Sequence, residues 1–239
     1  MKVSAIRERY NNPKWYNAKK DRWHQFTDTK VHREVIRALS FLQEDQTGII
    51  INVGAGEYDY GLNKFVVINL DISDRLISRL PNAVISNAEA LPIKDNCIKS
   101  AICVGSVINY CDAASVISEF NRVVSPGGSL IIDFESSYSA EYLTRSVFRQ
   151  SAAVAETFYA SRPEAVWVYS FSYIRNLLKA ANFTIIEHVP VHIVSPWALL
   201  LLRNANLAAA TAPLDPWVEN VSFLSRWASN HFLVCLKEI

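Results

Sequence analysis

The sequence predicts an α/β protein with one mostly parallel β-sheet, and three observations support this prediction. From residue 48 onward, short apolar segments alternate with amphipathic helical patterns, as in parallel sheets covered by helices. The chain closes with two more strand-like segments, which predicts seven strands in all and a late antiparallel strand. All 7 glycines of the 239 residues lie between Gly48 and Gly128, so backbone conformations that glycine adopts most easily are needed there.

The composition fits a single domain that spans residues 1–239. Half of the residues are apolar, and 24 Lys and Arg balance 23 Asp and Glu, which argues against a nucleic-acid-binding or a disordered protein. The 4 cysteines form no CxxC pair and have no histidine at metal-ligand spacing, so we expect neither a disulfide framework nor a metal site. The sequence shows no signal peptide, and its most apolar run, residues 196–202, is too short for a transmembrane helix, so we expect a cytoplasmic protein.

Residues 1–47 are predicted to form a helical N-terminal lid or cap. Residues 1–30 combine basic and aromatic side chains, and an amphipathic helix follows at about 30–43. A solvated helix anchored to the core by its aromatic side chains explains the same pattern. Stacking on RNA bases is a weaker alternative, because residues 31–239 carry a net charge of −4 (16 positive and 20 negative side chains).

The remaining elements are predicted in order along the chain. Strands are expected at 48–53, 65–70, 83–86, 100–105 and 129–134, and a helix at 113–124 begins after Asp112 and ends before the SPGG sequence of 125–128. We then expect a helical stretch at 139–156, a helix at 171–181, a strand at 183–194, a helical insertion at 196–228 and a final strand at 231–238. The apolar insertion suits burial against its own domain, a cap on an acceptor pocket, a homodimer contact or a membrane surface.

Three features at the predicted strand ends indicate a nucleotide-binding site. Gly54-Ala55-Gly56 follows the first strand, where glycine permits a sharp turn and close approach of a ligand. Asp71 ends the second strand, where a carboxylate can accept hydrogen bonds from ribose hydroxyls. The segment 87–92 follows the third strand and offers polar groups to an adenine ring.

Four segments together resemble the class I S-adenosylmethionine (SAM) dependent methyltransferases, specifically their small-molecule and polysaccharide-pathway branch. These segments are GIIINVGAG, VVINLDIS, NAEALPIKDNCIKSAICVGSVINY and EFNRVVSPGGSLIIDFE, and they cover about residues 48–135. The AEALP and RVVSPGGSL stretches separate this pattern from dinucleotide dehydrogenases. The resemblance implies a Rossmann-like methyltransferase fold, a SAM-binding core at 48–135 and an acceptor-side half at 136–239.

The resemblance also implies roles for individual residues. Gly54, Ala55 and Gly56 would lie under the methionine part of SAM, and Asp71 would hold the ribose. Ile72 would pack on the adenine, with Ala88 and Glu89 at its amino group. Gly105 and Ser106 would flank the methionine and the reactive methyl group.

The first crossover departs from the family pattern. The acidic residue usual near the end of the first strand is Asn52, and only eight residues separate Gly56 from Phe65. A crossover that contains a helix needs a dozen or more residues, so the first helix is predicted to be missing or reduced to a turn. We expect the amino group of SAM to meet Asn52 or the loop at 57–60.

Methyl transfer from a sulfonium is an in-line displacement that depends mainly on positioning, with a base needed for hydroxyl or protonated amine acceptors. The candidate catalytic residues are Asn109, Tyr110 and Glu135, beside Ser106. Asn109 and Tyr110 also fit a capped turn, and Glu135 also fits a solvated strand end. His32, His188 and His192 are interpreted as surface or core residues.

The predicted function is therefore methyl transfer from SAM, with S-adenosylhomocysteine (SAH) as product, to a small-molecule or glycan-precursor acceptor. The choice between O-, N- and C-methylation stays open. A catalytically silent partner protein with the same fold is an alternative, and an NAD-linked oxidoreductase is a less favoured one.

Overall fold

The computed structural model describes residues 3–13, 22–42, 48–58, 60–62, 65–159, 162–219 and 221–239. Within these ranges it contains nine strands. They are β1 (Ile49–Val53), β2 (Val66–Asp71), β3 (Ala83–Ile85), β4 (Ile98–Cys103), β5 (Val124–Glu135), β6 (Ala152–Tyr159), β7 (Arg162–Tyr169), β8 (Phe183–Val191) and β9 (Asn230–Lys237).

Seven of these strands form one sheet in the order β3-β2-β1-β4-β5-β9-β8. Strands β1 to β5 pair in parallel. Strand β9 runs antiparallel to both β5 and β8, and its first residue, Asn230, pairs with Glu135 at the end of β5. The predicted sheet, mostly parallel with a late antiparallel strand, is confirmed.

The helices of the described ranges are α1 (Val3–Asn11), α2 (Arg22–Leu42), α3 (Asp74–Ile77), α4 (Ala113–Val123), α5 (Phe171–Ala180), α6 (Ser195–Leu202), α7 (Ala205–Ala209), α8 (Asp215–Val218) and α9 (Ser222–Ser225). Helix α4 begins as predicted, because the Asp112 carboxylate accepts a hydrogen bond from the backbone N–H of Ala114 at 2.8 Å. Among these residues no helix is long and apolar enough to cross a membrane.

Alternating side chains of the central strands fill two separate cores. Ile51 faces one core, which contains the apolar sides of α4 and α5, and Ile50 faces the other. The second core is closed by α2 through Val35 and Leu39. Because side chains alternate along a strand, each buried strand serves both faces of the sheet.

The connection from β1 to β2 is short, as predicted. Its described residues form turns, with no helix among them. The 21-residue helix α2 covers the sheet face that borders the second core. A helix that precedes the first strand therefore supplies cover that the shortened crossover cannot supply.

The predicted helical stretch at 139–156 is wrong. A 3-10 turn at Ala140–Tyr142 and further turns lead into a hairpin of β6 and β7, which pair in antiparallel register. Alternation gives the physical reason, since Ala155 and Val166 are buried whereas Val154 is exposed. Pairing with β7, which is rich in β-branched and aromatic residues, outweighs the helical preference of the alanines in β6.

The predicted insertion at 196–228 is helical over most of its length and consists of α6 to α9. Several of its large apolar side chains are exposed, namely Leu201, Leu202, Leu207, Leu214, Trp217, Val221 and Phe223. Burial against its own domain, the default expectation for this segment, holds for Ala208, Ala209 and Ala212 but not for these large side chains.

Candidate cofactor and acceptor site

A cavity of about 730 Å³ opens at the carboxyl ends of the parallel strands. Parallel strands place these ends at one edge of the sheet, where loops can converge on a ligand. Eleven of the sequence-predicted site residues line the cavity: Gly54, Ala55, Gly56, Asp71, Ile72, Ala88, Glu89, Gly105, Ser106, Tyr110 and Glu135. The other two, Asn52 and Asn109, are buried outside it.

Gly54 makes the turn at the end of β1 possible. Its φ of +71° lies in the left-handed region, which side-chain-bearing residues rarely adopt. A Cβ atom at this position would lie 2.2 Å from Cγ2 of Val107 in the loop that follows β4. Close packing of the two loops therefore requires glycine here.

Asp71 lies at the end of β2 and lines the cavity. One carboxylate oxygen accepts a hydrogen bond from the Gly56 N–H at 2.8 Å, and the other accepts one from the Ser73 N–H at 2.7 Å. Burial raises the pKa of Asp71, and hydrogen bonds from the backbone amides of Ser73, Gly56 and Ile72 oppose that rise. The carboxylate is thus fixed between two loops, and each oxygen keeps a lone pair.

The segment after β3 forms the wall beside Asp71. The Glu89 N–H donates to the Asn87 side chain at 3.1 Å, and the Glu89 carboxylate accepts from the Asp112 N–H at 2.7 Å. Ala88 is buried between them. Glu89 therefore ties this wall to the start of α4 while it lines the cavity.

Asn52 and Asn109 act as structural links. Asn52 donates to the Tyr58 carbonyl at 2.7 Å and to the Asn69 side chain at 3.1 Å. Asn109 donates to the Trp167 carbonyl at 2.6 Å, and its own side-chain oxygen accepts from the Glu135 N–H at 3.1 Å. The capped-turn interpretation thus describes Asn109, and its predicted catalytic role has no geometric support.

The loop after β4 reveals Asp133, a residue that the sequence analysis missed. Gly105 and Ser106 have φ values of +85° and +60°, and the Ser106 N–H donates to Asp133 at 2.8 Å. Complete burial raises the pKa of Asp133 to about 7, opposed by hydrogen bonds from the Ser106 and Gly105 amides. The only sign of Asp133 in the sequence was that it is one charged residue within an apolar strand segment.

Glu135, at the end of β5, and Glu164, on β7, also line the cavity. Burial raises the pKa of Glu135 to about 8, with the nearby carboxylates of Glu141 and Glu164 adding to the rise. Glu164, on β7, was missed because the hairpin was not predicted. Arg9 of α1 approaches Glu164 at 3.2 Å, and burial raises the pKa of Glu164.

The N-terminal helices contribute side chains that were not named as site residues. Tyr10 of α1 contacts Tyr110 edge-on at 5.7 Å between ring centroids. His24 and Asp28 of α2 also line the cavity. The basic and aromatic composition of residues 1–30 was the only sequence signal for this contribution.

The three histidines first interpreted as surface or core residues have different surroundings. His192 is buried and stacks on Trp23 at 4.1 Å, and His188 lies 2.9 Å from His231 between ring nitrogens. His32 lines the cavity beside Tyr60. Within the described ranges no group of three His, Cys, Asp or Glu side chains could hold a metal ion.

Comparison with known proteins finds matches to the central part of the chain. Residues 51–132 match the protein family described as "Methyltransferase domain". Over 124 residues the chain is 27% identical to the uncharacterized protein MJ1252 of Methanocaldococcus jannaschii. That alignment spans 50% of this chain and 48% of the relative, so the match extends over about half of each protein.

Several solved structures share the fold at low sequence identity. A putative S-adenosylmethionine dependent methyltransferase from Listeria monocytogenes is 11% identical, with a TM-score of 0.58 over 87% of this chain and 98% of that one. The geranyl diphosphate C-methyltransferase of Streptomyces coelicolor A3(2), solved with SAH, is 13% identical, with a TM-score of 0.57 over 99% and 97%. The [4+2]-cyclase SpnF is 15% identical, with a TM-score of 0.58 over 87% and 81%.

Proposed function

Since this chain carries a methyltransferase domain with the class I SAM-dependent fold, we propose that it transfers the methyl group of SAM to a small-molecule acceptor. One observation supports this proposal most directly. The cavity runs without a break from Asp71, at the end of β2, to Glu135, at the end of β5. One continuous cavity thus contains both a carboxylate suited to bind a ribose and a carboxylate suited to contact an acceptor.

The residues around Asp71 suit the nucleoside part of SAM. The ribose hydroxyls donate to the free lone pairs of the Asp71 carboxylate. Ile72 and Ala88 provide apolar contacts for the adenine ring, and Gly54 and Gly56 let the backbone approach the methionine part. SAM supplies a methyl group on a sulfonium, so the leaving group is a neutral thioether.

Asp28 suits the ammonium group of SAM better than the residues predicted from sequence. Asn52 does not line the cavity, and Tyr58 and Tyr60 of the predicted loop line it but carry no carboxylate, whereas Asp28 lines it as an acidic residue. Asp28 acts electrostatically on Tyr60 and Asp133, which support the loops after β1 and β4. We assign to Asp28 the carboxylate role that the family pattern usually places near the end of the first strand.

Helix α1 is suited to act as the lid over the bound ligands. At one end, Asn11 accepts a hydrogen bond from the Ser73 hydroxyl at 2.6 Å, close to Asp71. Nearer its middle, Arg9 reaches Glu164 on the acceptor side. These polar contacts cross the opening and can be replaced by water, so opening of α1 gives ligands a way in.

The acceptor is a small molecule, and glycan precursors fall within this class. The cavity is enclosed on the acceptor side by the β6–β7 hairpin, the 3-10 turn at Ala140–Tyr142 and α6. Glu135 is placed to hold or accept a proton there, and Tyr110 forms part of the wall.

Binding titrations with SAM, SAH and NAD test the proposal. We expect SAM and SAH to bind and NAD not to bind, and we expect SAH to form when an acceptor is methylated. Absence of SAM and SAH binding would overturn the cofactor assignment. NAD binding at the same site would support the oxidoreductase alternative instead.

A further inference from the structure

Carboxylates outnumber cationic side chains around the cavity. Among the described residues that line it, six are acidic and one is an arginine, Arg203. The acidic residues are Asp28, Asp71, Glu89, Glu135, Glu141 and Glu164. Asp71 and Glu89 lie at the nucleoside end and Asp28 lies beside the methionine end, so three carboxylates remain for the acceptor end.

These three carboxylates come from different elements and line the same cavity. Glu135 ends β5, Glu141 belongs to the 3-10 turn after it, and Glu164 lies on β7. Glu141 and Glu164 both raise the pKa of Glu135 through their charge. Like charges held together in this way favour a ligand that brings positive charge.

Protein cations neutralise this cluster only in part. Arg9 pairs with Glu164, and His24 acts electrostatically on all three carboxylates. Arg145 also acts on Glu141, but within the described part of the chain neither Glu135 nor Glu141 forms an ion pair. Glu164 is 4% exposed, and its carboxylate has two partners, the Arg9 guanidinium and the Tyr110 hydroxyl. A carboxylate has about four lone-pair sites, so lone pairs remain for a ligand inside the cavity.

Glu141 is held in a fixed orientation. The hydroxyls of Ser139 and Ser229 both donate to the same Glu141 oxygen, at 2.9 and 3.0 Å. The other carboxylate oxygen is left for a partner in the cavity. A carboxylate supported in this way offers a defined position for an N–H donor.

Aromatic rings complete the surroundings of the cluster. Tyr10, Tyr110 and Tyr142 line the same end of the cavity as Glu164. The faces of aromatic rings attract cations, and aromatic side chains beside carboxylates are the usual composition of sites for organic ammonium groups.

We propose that the acceptor is an amine, which binds as an ammonium ion among Glu135, Glu141 and Glu164 and transfers its proton to Glu135. The proposal rests on the methyltransferase function proposed above. It narrows the proposed reaction to N-methylation of an amine. Anionic acceptors are disfavoured, because a phosphate or carboxylate would be repelled by the like charge of the carboxylates.

The reaction balances with the groups named. An N–H bond of the ammonium breaks, its proton moves to a Glu135 oxygen, and the nitrogen keeps the electron pair. That pair forms the bond to the methyl carbon as the carbon–sulfur bond breaks, and the bonding electrons leave with sulfur. The products are the methylated ammonium ion and SAH, and the proton on Glu135 passes to solvent.

The surroundings of Glu135 suit this exchange. Its pKa of about 8 in the ligand-free cavity is set by burial, then by Glu141 and Glu164, with His24 and the Ser106 hydroxyl opposing the rise. An ammonium ion beside it favours the charged form, so binding at pH 7 expels the proton that Glu135 carries. A base with a pKa near the working pH is well matched to an amine.

The test measures binding of three matched probes to the SAH-loaded protein: 2-phenylethylamine, 2-phenylethanol and phenylacetate. We expect the amine to bind at least about tenfold more tightly than the alcohol. Calorimetry at pH 7 in buffers of different ionisation enthalpy should show release of about one proton per bound amine and none for the alcohol. Glu135→Gln should abolish the proton release and most of the amine's advantage.

Glu156→Gln is the matched control, because Glu156 is an exposed glutamate on the same hairpin as Glu164. It should retain both the amine preference and the proton release. Equal or tighter binding of the alcohol or of phenylacetate would overturn the amine assignment, as would an amine preference that Glu135→Gln leaves unchanged. Binding of SAH to each variant shows that the variant is folded, and failure of SAH to bind the unaltered protein would refute the methyltransferase proposal separately.

Discussion

Asp71 and Glu135 show how different surroundings suit two buried carboxylates to different roles. Burial raises the pKa of both, but Asp71 is surrounded by backbone N–H donors whereas Glu135 faces other carboxylates. Backbone donors favour the charged form, which accepts hydrogen bonds from hydroxyls. Neighbouring negative charges favour the protonated form, which makes Glu135 ready to exchange a proton.

We expect Asp71→Ala to weaken SAH binding by about tenfold or more, because two ribose hydrogen bonds to a charged acceptor are lost. Glu135→Ala should change SAH binding much less, since Glu135 lies at the acceptor end. Calorimetric titration of both variants with SAH measures the difference. Equal losses in the two variants would contradict the assignment of Asp71 to the ribose.

Asp133 gives a pH-dependent contribution to stability. Its pKa is about 7 in the folded protein and 3.8 for an ordinary aspartate, so the folded state holds the proton more tightly. Stability from this group is therefore greatest at low pH and falls as the pH rises from about 4 through 7. Asp133→Asn keeps an oxygen acceptor for the Ser106 N–H and removes the charge.

The stability of Asp133→Asn relative to the unaltered protein should therefore increase between pH 5 and pH 8. Urea unfolding at several pH values measures the free-energy difference between the two proteins. A difference that does not change over this range would show that Asp133 does not titrate as its burial implies.

At the level of elements, the β6–β7 hairpin builds the acceptor end of the site. The hydrogen bonds of the Asn109 side chain connect three parts of the chain. These are the turn after β4 in which Asn109 itself lies, the end of β5, and strand β7. The hairpin is thereby fixed to the edge of the sheet where Glu135 lies. This link explains how a hairpin outside the main sheet can present Glu164 at a defined position.

Asn109→Ala should lower the free energy of unfolding by about 1–3 kcal/mol, because the buried Trp167 carbonyl and Glu135 N–H lose their partner. Asn176→Ala, on the exposed side of α5, should change stability by about 0.5 kcal/mol or less. Denaturant unfolding of both variants provides the comparison. A negligible effect of Asn109→Ala would mean that the hairpin is held in another way.

For the molecule as a whole, α2 compensates for the shortened first crossover. The helix comes before β1 in the chain, yet it closes the second core from one side. Leu39 is 1% exposed in that core, whereas Ile36, three residues earlier and nearer the margin of the buried face, is 44% exposed. The short β1–β2 loop is tolerated because the sheet face beneath it is already covered.

Leu39→Ala should cost about 2–5 kcal/mol of stability, as expected for a cavity in a packed core. Ile36→Ala, about one turn earlier at a position that is 44% exposed, should cost about 0.5 kcal/mol or less. Thermal or denaturant unfolding measures both. Similar costs for the two variants would show that α2 does not pack on the sheet as described.

The sequence by itself determined the mostly parallel sheet and the short first crossover, and it predicted residues at the strand ends that line the cavity. These depend on local signals: apolar strand segments, the turn at Gly54 and a carboxylate directly after β2. Residues that follow parallel strands are brought to one edge by the sheet itself, so Asp71, Glu89 and Ser106 could be placed without coordinates. The N-cap of α4 at Asp112 is equally local.

Only the tertiary structure decided the acceptor end. Glu141 lies on the 3-10 turn after β5 and Glu164 lies on β7. The form of both elements depends on contacts made across the chain, so no local pattern marks these two residues. The hairpin was mistaken for a helix because its alanines favour helices in isolation, whereas pairing and burial fix it as strands. Asn109 likewise looked catalytic beside Tyr110, and only its hydrogen bonds show it to be a link. The charge of the acceptor pocket is the sum of side chains on β5, on the 3-10 turn after it and on β7, and only the folded chain shows that these side chains line one cavity.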